Sequence, residues 1–189
     1  LLRCASSQYD QSPVKDAPSL KRIAAVQERL SGLIHKTPCV AMPLSTLSCQ
    51  LWGKMECWQT SGSFKFRGAL NSLLQLTPKQ LAQGVITASA GNHALAVCYA
   101  SRQVSTSVTV LMPANVNCNR VALCERLGAG VILEDDIERI FTALTVQSRE
   151  QNRTIVHPFD GIAVSEATAT VGCEVVDELG SIDAVVVAV

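Results

Sequence analysis

Four apolar, β-branched runs begin at residues 85, 108, 131 and 154, each start 23 residues after the last. They read Val-Ile-Thr-Ala-Ser, Val-Thr-Val-Leu-Met, Val-Ile-Leu-Glu and Thr-Ile-Val-His. Helical patterns fill the intervals at His93–Ser101, Arg120–Leu127 and Ile137–Arg149. Strands separated this way cannot pair through tight hairpins. They need right-handed crossovers, which give a parallel sheet covered by helices on both faces. The units share no sequence motif, so a solenoid is rejected. The expected fold class is α/β. A last run, Asp183–Val189, is the most apolar of all and reads as a buried parallel strand. A domain rarely stops on such a strand, so the expectation is a truncated chain.

The ends do not share the rhythm. Residues 1–17 mix Ser, Gln, Asp and Pro without periodicity and read as a loose leader. Leucine at position 1 reads as a lost or processed N-terminus, and Leu1-Leu2-Arg3 as a faint trace of a transit peptide. From Pro18 a helical pattern places Leu20, Ile23, Val26 and Leu30 on one side, with Gly32 as a stop. Thr37-Pro38 opens an extended stretch, Ser45–Cys49 reads as a short helix and Leu51–Cys57 as a strand. A helix then runs through Leu70, Leu73 and Leu74, and Thr77 caps another that stops at Gly84.

Composition narrows the function classes. The chain of 189 residues is 48% hydrophobic and 17% charged, with zero formal net charge. That suits a globular protein and recommends neither nucleic acid nor an anionic membrane as partner. No apolar run reaches the length of a membrane span. Eight cysteines stand at 4, 39, 49, 57, 98, 118, 124 and 173, with no C-x-x-C pair. Cys57, Cys98 and Cys173 take apolar places in strand or helix patterns, so the expectation is reduced thiols in an intracellular protein.

Two stretches carry chemistry. In Ser61-Gly62-Ser63-Phe64-Lys65-Phe66-Arg67-Gly68-Ala69 a lysine sits between two aromatics at the start of a helix. An amine held against apolar surface is disfavoured as an ammonium and becomes nucleophilic. That is the condition for bonding a carbonyl cofactor, above all pyridoxal phosphate. The stretch alone reads equally as an ordinary helix start with a solvated lysine. The second stretch, Ser89-Ala90-Gly91-Asn92-His93-Ala94, follows the first repeat strand. Ligands bind at the carboxyl ends of parallel strands, and exposed amide N–H groups there suit a carboxylate or a phenolate oxygen. A plainly capped helix is the alternative.

Together these stretches resemble the fold-type II pyridoxal-phosphate enzymes, in the threonine dehydratase and serine racemase branch. The matching residues are Lys54-Met55-Glu56, Gln59, residues 61–69, residues 88–94, Met112-Pro113, Leu127-Gly128-Ala129 and His157-Pro158-Phe159-Asp160. The resemblance implies a two-lobed α/β fold like that of the tryptophan synthase β subunit. Residues 1–78 would belong to a large lobe, 79–154 to a small lobe, and 155–189 to the large lobe again, continuing beyond the chain.

The same resemblance implies that Lys65 bonds the cofactor and moves the Cα proton, that Phe64 packs beside its ring, and that Asn92 bonds its 3-oxygen. Ser89, Gly91, Asn92 and His93 would receive the substrate carboxylate, and Arg139 would stand at the substrate mouth. The implied reaction is deamination of L-threonine or L-serine to a 2-oxo acid and ammonia, in a cytoplasmic (alternatively mitochondrial) homo-oligomer. The alternatives are serine racemisation, or an inactive relative acting only through subunit contact. Racemase-like members carry a serine at the position of Ala90, which cannot relay a proton.

Departures accompany the likeness. Ala167-Thr168-Ala169-Thr170 stands where the family has Gly-Gln-Gly-Thr, and Arg120 replaces a lysine. The family's tetraglycine phosphate loop follows the strand that ends here at Val189, so weak cofactor binding is expected of this chain. His35 reads as a packing histidine, and His157 with Asp160 as loop structure rather than a metal pair. Glu134, Asp135, Asp136 and Glu138 read as acidic residues favoured at a helix N-terminus, not as a cation site.

Overall fold

The computed structural model describes residues 18–43, 49–159 and 161–187. Helix α1 (Leu20–Leu30) starts where the Ser19 hydroxyl accepts the Arg22 N–H, and it buries Ile23, Val26 and Leu30. Leu20, expected on the buried side, is 79% exposed. Strands β1 (Cys39–Ala41) and β2 (Trp52–Lys54) form a short antiparallel ribbon. The strand expected over Leu51–Cys57 is thus shorter, and Glu56–Trp58 turns as a 3-10 helix instead. The short helix expected at Ser45–Cys49 falls outside the described residues apart from Cys49, which sits in a bend.

Helix α2 (Lys65–Leu74) begins on the lysine and buries Phe66, Arg67, Leu70, Asn71 and Leu73. Thr77 and Gln80 exchange bonds in a capping box at the start of α3 (Pro78–Gln83). Gly84 ends that helix at φ +88°, a conformation L side chains rarely adopt.

The sheet follows the 23-residue rhythm. Strands β3 (Val85–Ala88), β4 (Val108–Pro113), β5 (Gly130–Glu134) and β6 (Thr154–Ile155) are all parallel, in the order β5-β4-β3-β6. Between them lie α4 (Asn92–Gln103), α5 (Cys118–Arg126) and α6 (Ile140–Glu150). Successive strand residues face opposite ways. Val85, Val108, Val110 and Met112 join the larger core with α1, α2, α4 and α5. Ile86, Ala88 and Leu111 join a smaller one with Ile140 and Leu144 of α6. Both faces are covered, as parallel strands require.

Helix α7 (Ile162–Leu179) returns across α1 and α2. Ala167 and Thr170 are buried in its middle, so the stretch that departs from the family's glycines continues a regular helix. The buried strand expected at Asp183–Val189 is not found over the described part of that run. Residues 184–187 are unpaired, and Val186 is 93% exposed. An apolar composition favours a strand only where neighbouring backbone supplies hydrogen bonds, and no described strand lies alongside. Cys98 is buried as expected, whereas Cys57 is exposed and Cys173 half-buried; every described cysteine is free.

Candidate active site

Three segments converge at one pole of the sheet. The first is the start of α2, where Lys65 is half-buried and its Nζ donates to the Pro158 carbonyl at 3.0 Å. The Phe64 ring centroid lies 5.0 Å from the same nitrogen. Among the described residues the amine's hydrogen-bond partner is this neutral carbonyl and not a carboxylate.

The second segment leaves β3. The Ser89 N–H still donates to Leu111, extending the sheet register by one residue, while its hydroxyl accepts the Gly91 N–H at 3.1 Å. No side chain caps α4, and Asn92 at its first position is exposed. The next residue, His93, is buried, with Nε2 3.2 Å from the Val156 carbonyl. A carbonyl only accepts, so Nε2 carries the hydrogen and Nδ1 keeps its lone pair. Burial pushes the imidazole down to about 4; the Val156 bond opposes this, and the nearby Lys65 and His157 add to it. His93 is therefore neutral at pH 7.

The third segment is the turn from β6 into α7. It supplies the Val156 and Pro158 carbonyls that hold His93 and Lys65, and it carries two aromatic residues, His157 and Phe159. Thr87 of β3 ties this turn to the sheet through a 2.7 Å bond to the Val156 carbonyl.

Behind α2 lies a charge network that the lysine motif alone does not reveal. Arg67 is fully buried and makes five bonds. Two reach Glu56 at 2.7 and 3.0 Å, two reach Glu174 at 2.6 and 2.8 Å, and one reaches the Thr170 hydroxyl at 3.1 Å. Lys54 adds a 2.7 Å bond to Glu174 and another to the Thr37 carbonyl. Two cations meet two carboxylates, so the cluster is neutral as a whole. Burial alone would raise the Glu174 carboxyl, but the bonds and charges of Arg67 and Lys54 outweigh it and hold it below its ordinary value. The same bonds, from Glu174 and Glu56, raise Arg67 against the opposing effect of its burial.

Of the residues expected from sequence, the structure brings Lys65 and His93 onto one turn. Phe64 adjoins Lys65, and Ser89, Gly91 and Asn92 lie in the loop that leads to His93. Arg139 stands apart: its side chain is 79% exposed and pairs with Asp136 at 3.0 Å. Asp136 also accepts the Glu138 N–H at 3.0 Å, so this acidic stretch starts a helical turn, as expected. Among the described residues no His, Cys, Asp and Glu group could hold a metal ion. A hollow of about 420 Å³ at the β1–β2 ribbon includes none of the site residues.

Residues 30–189 match the family described as pyridoxal-phosphate dependent enzyme. The chain belongs to that family. A phenylserine dehydratase of Ralstonia pickettii is 37% identical over 174 residues, covering 90% of this chain and 53% of that relative. An L-threonine ammonia-lyase of Thermotoga maritima is 34% identical over 178 residues, covering 90% and 43%. The serine racemase structure from Dictyostelium discoideum superposes with a TM-score of 0.80 at 29% identity, covering 88% and 55%. The chain thus spans about half the length of the relatives it matches, and its parallel α/β architecture is that of fold-type II enzymes.

Pyridoxal phosphate is the cofactor of the family, and the residues at the pole fit part of it. A primary amine held by a neutral carbonyl suits its aldehyde. The exposed Asn92 amide and the uncapped start of α4 suit an oxygen on its ring. Ser61 and Ser63, just before Lys65, keep buried hydroxyls without partners. Among the described residues these two hydroxyls are fewer than the several convergent donors that a phosphate dianion needs.

Proposed function

We propose that this chain carries the reacting half of a deaminase acting on L-threonine or L-serine, which yields a 2-oxo acid and ammonia. The observation that carries the reading is the convergence of Lys65 and His93 on the Pro158 and Val156 carbonyls, two residues apart in the β6–α7 turn. In this reading Lys65 holds the cofactor through Nζ and, once released from it, moves the substrate Cα proton. Phe64 packs beside the cofactor ring, and the Asn92 amide meets the ring's 3-oxygen. Ser89, Gly91, Asn92 and His93 receive the substrate carboxylate at the start of α4. Neutral His93 does so as a hydrogen-bonding group, not as a cation. Arg139 enters as a mouth residue that must release Asp136 to reach a carboxylate.

When bound, the cofactor's ring system accepts the electrons left by Cα–H cleavage. The carboxylate contacts fix which Cα bond is presented for cleavage. Loss of the β-hydroxyl and hydrolysis of the released enamine balance as one water out and one water in.

Racemisation requires a second proton carrier opposite Lys65, and Ala90 has none to offer. Incubation of a version extended to the length of the relatives with L-serine and pyridoxal phosphate, with both products followed, separates the two. The expected product is 2-oxo acid; appreciable D-serine without it would overturn the assignment.

We further propose that residues 79–154 form the small lobe and that the flanking segments belong to the large one. The free thiols support a cytoplasmic compartment, with a mitochondrial one as alternative. Among the described residues no helix is long and apolar enough to cross a membrane. Homo-oligomerisation is the proposed assembly, tested by light scattering of the purified protein.

A further inference from the structure

Three rings stand together at the same pole and have no part in the roles above. Phe141, in the first turn of α6, stacks on His157 with centroids 5.6 Å apart and planes 26° from parallel. Phe159 meets His157 edge-on at 4.6 Å and Phe141 at 6.1 Å. His157 and Phe159 flank Pro158, whose carbonyl holds the Lys65 amine. The cluster therefore begins within one residue of that hydrogen bond.

Phe141 is 43% exposed and Phe159 68%. One exposed phenylalanine is ordinary on a protein surface. Three interlocked rings beside a reactive amine are a different matter, since Phe141 and Phe159 keep faces in water that a further ring could cover. Ring pairs favour offset or edge-to-face contact, and each such pair adds to plain burial. On the β3–α4 side the loop offers little bulk: Ala90 is exposed, and a Cβ at Gly91 would meet nothing within 4 Å.

We propose that Phe141, His157 and Phe159 form the side-chain subsite of the Lys65 site and select amino acids bearing an aromatic ring on Cβ. The inference rests on the deaminase reading for its chemistry but not for its binding. A hydrogen or methyl on Cβ presents too little surface to gain from three rings, whereas an aryl group can stack on one and meet another edge-on. The reaction keeps the same balance: a β-aryl-β-hydroxy amino acid gives a 3-aryl-2-oxo acid and ammonia.

The test uses the protein extended to the length of its relatives, with pyridoxal phosphate. Deamination of threo-β-phenylserine and L-threonine is compared, and binding of unreactive L-phenylalanine and L-alanine is titrated by ligand-observed NMR. The expected results are a KM roughly tenfold lower for the phenyl substrate and binding of L-phenylalanine roughly tenfold tighter than L-alanine. Phe159→Leu and, on a separate element, Phe141→Ala should each bring the phenylalanine-to-alanine ratio towards one. Equal binding of the two ligands to the unaltered protein overturns the subsite, as does an unchanged ratio in both variants. Turnover of L-threonine without preference for the phenyl substrate also overturns it. Preferential phenylalanine binding with no turnover of any substrate sinks the deaminase reading and supports the subsite.

Discussion

Replacing Arg67 with methionine isolates what the buried network contributes. The change keeps much of the side-chain volume but removes five hydrogen bonds, four of them to carboxylates. Counted singly at about 1.5–3 kcal/mol, four charge-assisted bonds would sum to roughly 6–12 kcal/mol. That sum overshoots, because the stranded carboxylates have an escape. Glu174 keeps Lys54 and Glu56 keeps the Thr37 hydroxyl at 2.5 Å, and either carboxyl can take up a proton. Holding one carboxylic acid neutral at pH 7 costs about 3.7 kcal/mol against its ordinary value. One such proton bounds the loss, in keeping with about 3–5 kcal/mol for breaking a buried ion pair.

The pH dependence then has a definite sign. In the unaltered protein the Glu174 carboxyl is lowered, so its contribution is present above the unfolded value and is lost as pH falls through the folded one. In Arg67→Met one carboxyl is held neutral in the folded protein at pH 7, and its penalty fades as pH falls towards the ordinary carboxylate value of the unfolded chain. The two stability curves therefore converge at about 1.4 kcal/mol per pH unit below pH 7. Urea unfolding at pH 7, 6 and 5 measures the gap. A loss under about 1 kcal/mol, or a gap constant across that range, would refute the reasoning.

Other perturbations address other parts of the molecule. Lys65→Ala should abolish the adduct trapped by borohydride after incubation with pyridoxal phosphate; mass mapping of the adduct to Lys36, Lys54 or Lys79 instead would remove Lys65 from its role. His93, lowered by burial, binds its proton more readily in the unfolded chain, so stability is complete above about pH 6.5 and declines as pH falls towards 4. The loss is about 3 kcal/mol, and His93→Gln should flatten that limb of the profile by a similar amount; an unchanged limb would show that the imidazole is not the group responsible. Gly84→Ala strains a positive φ and drives a Cβ against the Ser107 hydroxyl, the Arg153 guanidinium and the Ser107 carbonyl. The expected cost is about 3 kcal/mol by urea unfolding, and a neutral result would mean that the α3–β3 corner yields.

The parallel sheet was legible because β-branched runs at a constant 23-residue interval leave few other topologies, and the capping residue Thr77 announced its helix. Ser89–His93 was legible for a topological reason: it follows a strand end, where parallel sheets place their ligands. Two groups that hold Lys65 and His93 were not, because the Pro158 and Val156 carbonyls are backbone atoms that every residue possesses. Arg67 was visible in its motif, yet its partner Glu174 lies 107 residues away and nothing local marks it as buried. The run Val185–Val187 misled because composition reports only a preference for strand, whereas pairing depends on what lies alongside. Phe141 carried no signal, since its ring contacts come from the β6–α7 turn and not from its own helix.

Helix geometry explains why the network and the amine can share one helix. Residues two apart on an α-helix point about 200° away from each other. Lys65 therefore faces the β6–α7 turn while Arg67 faces inward to Glu174. Both faces of α2 engage the same partner, since the turn that accepts the Lys65 bond leads directly into α7. Asn71 adds a third tie, donating to the Ala163 carbonyl at 2.7 Å, and Gly68 lets Val164 approach so closely that a Cβ there would sit 3.0 Å from its methyl. With α2 and α7 clamped along their length, the distance from Lys65 to its carbonyl is set by two packed helices and not by one flexible side chain. His93 is held to the same turn from the sheet side, through Thr87 and Val156. The turn is thus the common reference for both halves of the site. A change that tilts α2 against α7 displaces the amine relative to the imidazole without touching either.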